Sequence, residues 1–366
     1  MNRPVITQYL SVDDAVEIVR RQGLPTTLAG IVRELEADFC RWPAFDKCAR
    51  VASHSPEGVI ELMPVADGQH YTFKYVNGHP HNHHHGLPTV MAFGVLADVA
   101  TGVPELVSEL TLTTALRTAA TSVMAAKRLA RPESRVMALI GNGAQSEFQA
   151  LAFHHLMGID TLRLFDIDRL ASAKLRANLA PLAAIGLRVV SCASAEEAVQ
   201  GADIVTTLTA DKARATVVHA GMVRPGMHFN AVGGDCPGKT ELAAEVLRAA
   251  RVFVEFEPQT RVEGDIQQMP ADFPVTELWR VLRGEAPGRL HADEVTVFDS
   301  VGFALEDFSA LRYMRRAAQA LGLHRTLSLI PELPDPRNLY GVLQGAPAPV
   351  GEPGWPLAEC PQPVVA

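Results

Sequence analysis

Residues 135–166 constrain the chain most. An apolar run at 135–140 is short enough for a buried strand. Gly141-Asn142-Gly143-Ala144-Gln145-Ser146 follows, a helical pattern covers 144–157, and a second strand-like run, 162–166, ends in Asp166. Strand, glycine turn, helix and strand make a βαβ unit, whose crossover helix joins parallel strands. The turn is of GxGxxG type with serine at the third glycine. The first glycine suits the tight turn, and the second lets backbone approach a pyrophosphate. The helix N-terminus offers free N–H groups and the positive end of its dipole. Asp166 lies 20 residues beyond Ser146, where a carboxylate accepts from the ribose hydroxyls and repels a 2′-phosphate. The unit predicts NAD rather than NADP, held through Gly141, Gly143 and Asp166, with Arg163 and Arg169 flanking the acid. The plainer alternative is an ordinary tight turn with no ligand.

The alternation continues. Strand-like runs at 187–191, 203–208, 228–232, 252–256 and 295–298 are interleaved with helical patterns at 169–179 and 195–199. This predicts an α/β fold with a Rossmann-type doubly wound parallel sheet. The N-terminal third reads differently. Ser11 can cap a helix that carries Asp13 and Asp14 in its first turn and stops at Gly23; a second helical pattern covers 27–39. Strand-like runs at 58–64, 71–76, 90–96 and 104–110, with turns at Asp67-Gly68 and Thr101-Gly102, predict an antiparallel sheet. A long helical pattern follows at 112–130, and an amphipathic one at 306–321 returns to this first domain. The segment from Pro347 holds six prolines and no periodicity, and reads as extended or disordered.

With 366 residues the chain has room for about two domains. Acidic residues outnumber basic ones, 41 to 33, for a net charge of −8, which argues against nucleic-acid and anionic-membrane partners. Cys40, Cys48, Cys192, Cys236 and Cys360 are scattered, without a CxxC pair, as in a reducing compartment. The N-terminus lacks a signal-like apolar core, and no apolar stretch reaches about 18 residues. These features predict a cytoplasmic enzyme of a small molecule.

A second glycine-rich stretch, Ala231-Val232-Gly233-Gly234-Asp235-Cys236-Pro237-Gly238-Lys239-Thr240-Glu241-Leu242, follows a strand. It places Asp235 at the C-terminal edge of the sheet, where doubly wound folds bind ligands. Asp235 could equally cap a helix starting near Glu241; the residues alone leave both readings open.

Several segments together resemble the ornithine cyclodeaminase/mu-crystallin family. They are residues 50–55 (RVASHS), 58–64 (GVIELMP), 73–80 (FKYVNGHP), 115–120 (ALRTAA), 141–149 (GNGAQSEFQ), 230–242, 298–303 (FDSVGF) and 306–313 (EDFSALRY). The resemblance runs from about residue 50 to 343 and is nearest to the bacterial ornithine cyclodeaminases, because the AVGGDCPGKTEL run is intact. It implies an α+β substrate-binding and dimerisation domain, discontinuous at 1–130 and 304–345. It also implies an NAD-binding domain at 131–303, outside which 346–366 is a tail. A homodimer, tightly held NAD, and conversion of L-ornithine to L-proline and ammonia belong to the same expectation. By that resemblance Arg50, Lys74 and Arg117 bind the substrate carboxylate, and Asp235 is the general acid/base. Glu61 and Met63 face the substrate, as does the backbone of Val301. Thr89, Arg117, Ala144, Gln145, Thr209, Val232, Gly233, Gly234, Asp235, Lys239 and Ser300 contact the cofactor.

The chemistry gives these residue types a purpose. Arginine supplies a bidentate fork for a carboxylate and lysine a point charge. The alternative is solvated surface cations, against which Lys74 stands in an apolar run and Arg117 in an apolar helix. Glu61 could instead face solvent by strand alternation. Ammonia leaves an unactivated sp³ carbon only after oxidation to an imine. The δ-amine can then close a five-membered ring, with the advantage of an intramolecular reaction. The sequence His79-Pro80-His81-Asn82-His83-His84-His85 could bind Zn²⁺ or Ni²⁺, but reads better as a polar loop, and no metal is expected. Cys236 is not needed as a nucleophile. One methylene in a pocket is worth only about 1–3 kcal/mol, so a lysine cyclodeaminase making L-pipecolate stays open. So do a ketimine reductase or amino-acid dehydrogenase on the same fold, and a non-catalytic binding protein.

Overall fold

A computed structural model describes residues 6–210, 216–323 and 325–344. The proline-rich segment 346–366 lies outside the described residues, as does Cys360. The first sheet contains β1 (Thr7–Leu10), β2 (Asp46–Lys47), β3 (Val51–His54), β4 (Val59–Ala66), β5 (His70–Gly78), β6 (Ala92–Asp98) and β7 (Pro104–Glu109). The second contains β8 (Val136–Ile140), β9 (Thr161–Phe165), β10 (Arg188–Ser191), β11 (Ile204–Thr207), β12 (His228–Ala231), β13 (Arg251–Val254), β14 (Thr276–Glu277) and β15 (Thr296–Asp299). A last strand, β16 (Arg325–Leu327), joins the first sheet.

The first sheet runs β16-β1-β7-β6-β5-β4-β2, with β3 also on β4. It is antiparallel except that β1 lies parallel to β7. The sequence pattern misses β1, β2, β3 and β16 because two to four residues are too few to show a period. Ser11 caps the helix Val12–Gln22 through a capping box with Asp14, and Gly23 closes it with a φ of 80°. The helices Leu24–Cys40, Thr111–Leu129 and Ala304–Leu321 pack on one another, and Ala304–Leu321 also packs on β4 and β5. This layer decides which side chains β4 turns inward. Glu61 and Met63 are buried, at 6% and 2% exposure, while Ile60 and Leu62 face outward at 41% and 46%. The alternation expected of a strand is present, but with the polar residue inside.

The second sheet is parallel throughout, in the order β10-β9-β8-β11-β12-β15-β13-β14. Its order reverses between β8 and β11, the switch point at which open α/β sheets bind ligands beyond their C-terminal ends. The glycine turn leaves β8 there. Gly141 has a φ of 91°, and a Cβ on it would stand 2.8 Å from the Leu208 carbonyl carbon and oxygen at the end of β11. Only glycine satisfies both the left-handed backbone and that approach. Among the described residues no helix is long and apolar enough to cross a membrane.

Gly141→Ala should therefore destabilise the fold by more than about 1 kcal/mol and weaken NAD binding together with it. Denaturant unfolding and an NAD titration read both effects, and wild-type values would remove the steric role.

Candidate active site

A cleft of about 770 Å³ lies between the inner face of the first sheet and the C-terminal edge of the second. From the first sheet and its helices come Arg50, Val59, Glu61, Met63, Lys74, Val76, Thr89 and Arg117. Gly143, Ala144, Gln145, Thr209, Val232, Gly233, Asp235, Cys236, Lys239, Ser300 and Val301 come from the loops beyond the parallel strands. The fold thus brings most of the residues singled out in the sequence into one space. Gly141, Gly234 and Asp166 do not line it.

The three cations are buried and already partnered. Lys74 is 1% exposed, with Nζ 2.8 Å from Asp307 Oδ2. Arg117 donates from Nε to Asp307 Oδ1 at 3.0 Å and from NH1 to Glu306 Oε2 at 2.6 Å. Arg50 donates from NH1 to Glu61 Oε2 at 3.0 Å, and from NH2 to the carbonyls of Val301 and Gly302 at 2.6 Å; its Nε lies 3.0 Å from Glu263 Oε2. Burial sets the protonation of this cluster. It lowers the Lys74 pKa to about 8, aided by the Arg117 charge. It raises Glu306 to about 8 against the pull of Arg117, and Glu263 to about 7 against the pull of Arg50. Burial also opposes ionisation of Asp307, but Arg117 and Lys74 hold that carboxyl below its ordinary range.

The loops across the cleft are tied by buried carboxylates. Glu241 accepts the N–H and hydroxyl of Thr209, at 2.7 and 2.5 Å, and the N–H of Gly233 at 2.9 Å. A Cβ on Gly233 would fall 2.2 Å from Glu241 Oε1, so a side chain there would displace the carboxylate from its three hydrogen bonds. Asp265 accepts the N–H groups of Glu241 and Leu242, both at 2.8 Å, and Asp299 accepts those of Asp265 and Ile266. Glu255 accepts the Ser300 hydroxyl at 2.6 Å and the N–H groups of Val301 and Gly302. Each acid holds a neighbouring loop at the sheet edge.

Asp235 stands at the mouth of this framework, with its side chain 54% exposed and Oδ1 3.1 Å from Lys239 Nζ. Lys239 is buried; desolvation works against its charge, but Asp235 and Glu241 keep its pKa above the ordinary value. The helix that follows Glu241 begins at Ala244 with Ala243 at its N-cap and no side-chain cap, so Asp235 caps nothing there. Asp166 accepts the Asn142 N–H at 2.5 Å and the Asp168 N–H at 2.8 Å, which fastens the glycine turn to the end of β9. Gly143 faces open ground: a Cβ on it would meet no atom within 4 Å. That cradle lies before the helix Ser146–Met157 and fits a dinucleotide phosphate. Asn77 Nδ2 donates to His79 Nδ1 at 2.9 Å, and Pro80–His85 forms a short 3₁₀ turn. Among the described residues no three His, Cys, Asp or Glu side chains group as a metal site.

Sequence reasoning did not single out Glu241, Glu255, Glu263, Asp265, Asp299, Glu306 or Asp307. The signal for the last two was present: buried cations require buried acids, and Glu306-Asp307 open an amphipathic helix close to the Val301 loop. For the others the partners are from 8 residues distant (Gly233 for Glu241) to more than two hundred (Arg50 for Glu263), and no local pattern announces them.

A Rossmann sheet joined to a second α/β layer across a cleft of glycine loops and buried charges defines an NAD-dependent enzyme. The chain belongs to the ornithine cyclodeaminase/mu-crystallin family, whose model matches residues 12–321. It is 57% identical over 338 residues to an ornithine cyclodeaminase of Brucella melitensis, covering 92% of this chain and 93% of that protein. Among solved structures it is similar to a lysine cyclodeaminase described with L-lysine, L-ornithine and L-2,4-diaminobutyric acid, with a TM-score of 0.85 and 30% identity over 92% of this chain and 99% of that one. An archaeal alanine dehydrogenase dimer with bound NAD matches with a TM-score of 0.81 and 29% identity, over 89% and 100%.

Asp235→Asn should leave NAD binding within about twofold while reducing turnover by at least about a hundredfold, the usual scale of a general acid/base contribution. Cofactor titration and steady-state kinetics separate the two; near-normal turnover would exclude Asp235 from proton transfer.

Proposed function

We propose that this protein converts L-ornithine to L-proline and ammonia, using NAD in a cycle without net oxidation. One observation carries the reading: a single cleft sets three buried cations opposite Asp235 and the glycine loops. The 57% identity to an ornithine cyclodeaminase over most of both chains supports it, and the lysine cyclodeaminase is the more distant relative. NAD held by the glycine loops would supply the hydride acceptor and donor that the substrate Cα requires.

The chain's own residues do the rest. Arg50, Lys74 and Arg117 fix the substrate carboxylate, with arginine forks giving orientation and Lys74 added charge. Asp235 takes a proton from the α-ammonium and later returns one to the leaving nitrogen. Its exposure at the cleft mouth and the charge of Lys239 alongside suit a group that must reach a moving nitrogen. Glu61, buried beside Arg50, holds the distal ammonium on the substrate side. Met63, Val59, Val76, Phe148 and Val232 line the cleft with apolar surface and limit water at the imine before the δ-amine closes the ring. Gly143, Ala144, Gln145, Thr209, Val232, Gly233 and Ser300 face the cofactor across the switch point. Asp166 recognises the ribose while steadying the turn.

Two further readings go with this one. The outer face of the first sheet carries a row in register across four strands, Val51, Leu62, Tyr75 and Phe93, with Val51 65% exposed and the Tyr75 and Phe93 rings stacked at 5.2 Å. An apolar face of that kind supports a homodimer joined through these sheets. Among the described residues the free thiols of Cys40, Cys48 and Cys192 support a reducing, cytoplasmic setting.

Purified protein supplied with L-ornithine and catalytic NAD should form proline and ammonia one for one, with no accumulation of NADH. L-Lysine should react with at least about tenfold lower kcat/KM, the worth of one methylene. Stoichiometric NADH would identify a dehydrogenase instead, and a preference for lysine would move the substrate to the longer diamine.

A further inference from the structure

We propose that Asp307 is a positioning residue for substrate binding: it joins Lys74 and Arg117 into one carboxylate receptor and keeps Lys74 charged. This rests on the reading of those two cations as carboxylate ligands.

The geometry is specific. Lys74 stands on β5, Arg117 on the helix Thr111–Leu129, and Asp307 in the first turn of Ala304–Leu321. The two oxygens of Asp307 are divided, Oδ2 2.8 Å from Lys74 Nζ and Oδ1 3.0 Å from Arg117 Nε. One carboxylate thereby fixes the spacing of two cations that arrive on separate elements. All three side chains are buried, so solvent cannot substitute for the contact.

The surroundings of Lys74 explain why the charge matters. Its neighbours in register, Met63 on β4 and Gly94 on β6, are neutral. Arg117 and Arg50 face it as like charges, and both push its proton off. Glu61 and Glu263 are engaged with Arg50, and Glu306 with Arg117. Asp307 is the acid in contact with Lys74 and opposes that loss. With Asp307 ionised, Lys74 titrates at about 8. Below that pH it is an ammonium able to bind a carboxylate; above it the charge is lost. Removing the Asp307 charge lowers the Lys74 pKa further, so the protonated window closes at a lower pH.

The test is Asp307→Asn in the NAD-loaded enzyme. The expected result is a KM for L-ornithine raised by about tenfold or more. The alkaline limb of kcat/KM should move down by about one pH unit, while NAD affinity stays within about twofold of wild type. Asp307→Glu, which restores the charge, should return the limb toward pH 8, and a purely structural role would not move it. A folded Asp307→Asn enzyme with wild-type KM and an unmoved limb overturns the proposal. If the asparagine variant does not fold, Lys74→Arg decides. Because Glu306 also titrates near 8, a cation that stays protonated should move the limb upward rather than remove it, and a limb unmoved from wild type would also overturn the proposal. A wild-type protein that makes no proline from ornithine would defeat the functional reading instead, which is a distinguishable result.

Discussion

The structure depends on cations placed where water cannot reach them. Taking Lys74, Arg50 and Arg117 out of solvent costs several kcal/mol per ion unless each finds an opposite charge in good geometry. The chain meets that demand with Glu61, Glu263, Glu306 and Asp307. These contacts link β4, β5, the helix Thr111–Leu129, the helix Ala304–Leu321 and the Arg50 segment, so the cations proposed to receive a carboxylate also form a junction between these elements. A fold without the acids would leave the cations unpaired, and one without the cations would leave four buried acids. The binding site and the packing are one constraint.

The cofactor side follows the same logic with neutral donors. Loops at the C-terminal ends of parallel strands carry backbone N–H groups that no ladder satisfies. Glu241, Asp265, Asp299 and Glu255 accept those groups from below and leave the upper surface of the loops to the cleft. Desolvation raises the pKa of each of these acids. Part of the acidic excess of the chain is therefore internal and structural. The net charge of −8 argues against large classes of partner but says nothing of where the charges sit.

Much of the fold was legible because the Rossmann part is built of local units. The run 135–166 contains its own strand, turn and helix, and the φ of Gly141 is the reason for its glycine. Strand periodicity located β4 but did not orient it. Ile60, Leu62, Glu61 and Met63 alternate on opposite faces, and only the helices packed on one face decide that the glutamate goes inside. The short edge strands β1 and β16 form through pairing with each other and with β7, which no window of three or four residues can reveal. Among site residues, Lys74 and Arg117 stood out as charges in apolar runs. Asp307, which faces both, looked like an ordinary first-turn acid of an amphipathic helix. Its partner on β5 is more than two hundred residues away in sequence.

The central claim is that hydrogen leaves and returns to the same carbon while Asp235 handles only protons on nitrogen. L-Ornithine carrying deuterium at Cα tests it most directly, with the product examined by mass spectrometry. Retention of the label at C2 of L-proline, without build-up of NADH, is the predicted result. Exchange of the label into solvent would mean deprotonation at Cα, and would contradict the account.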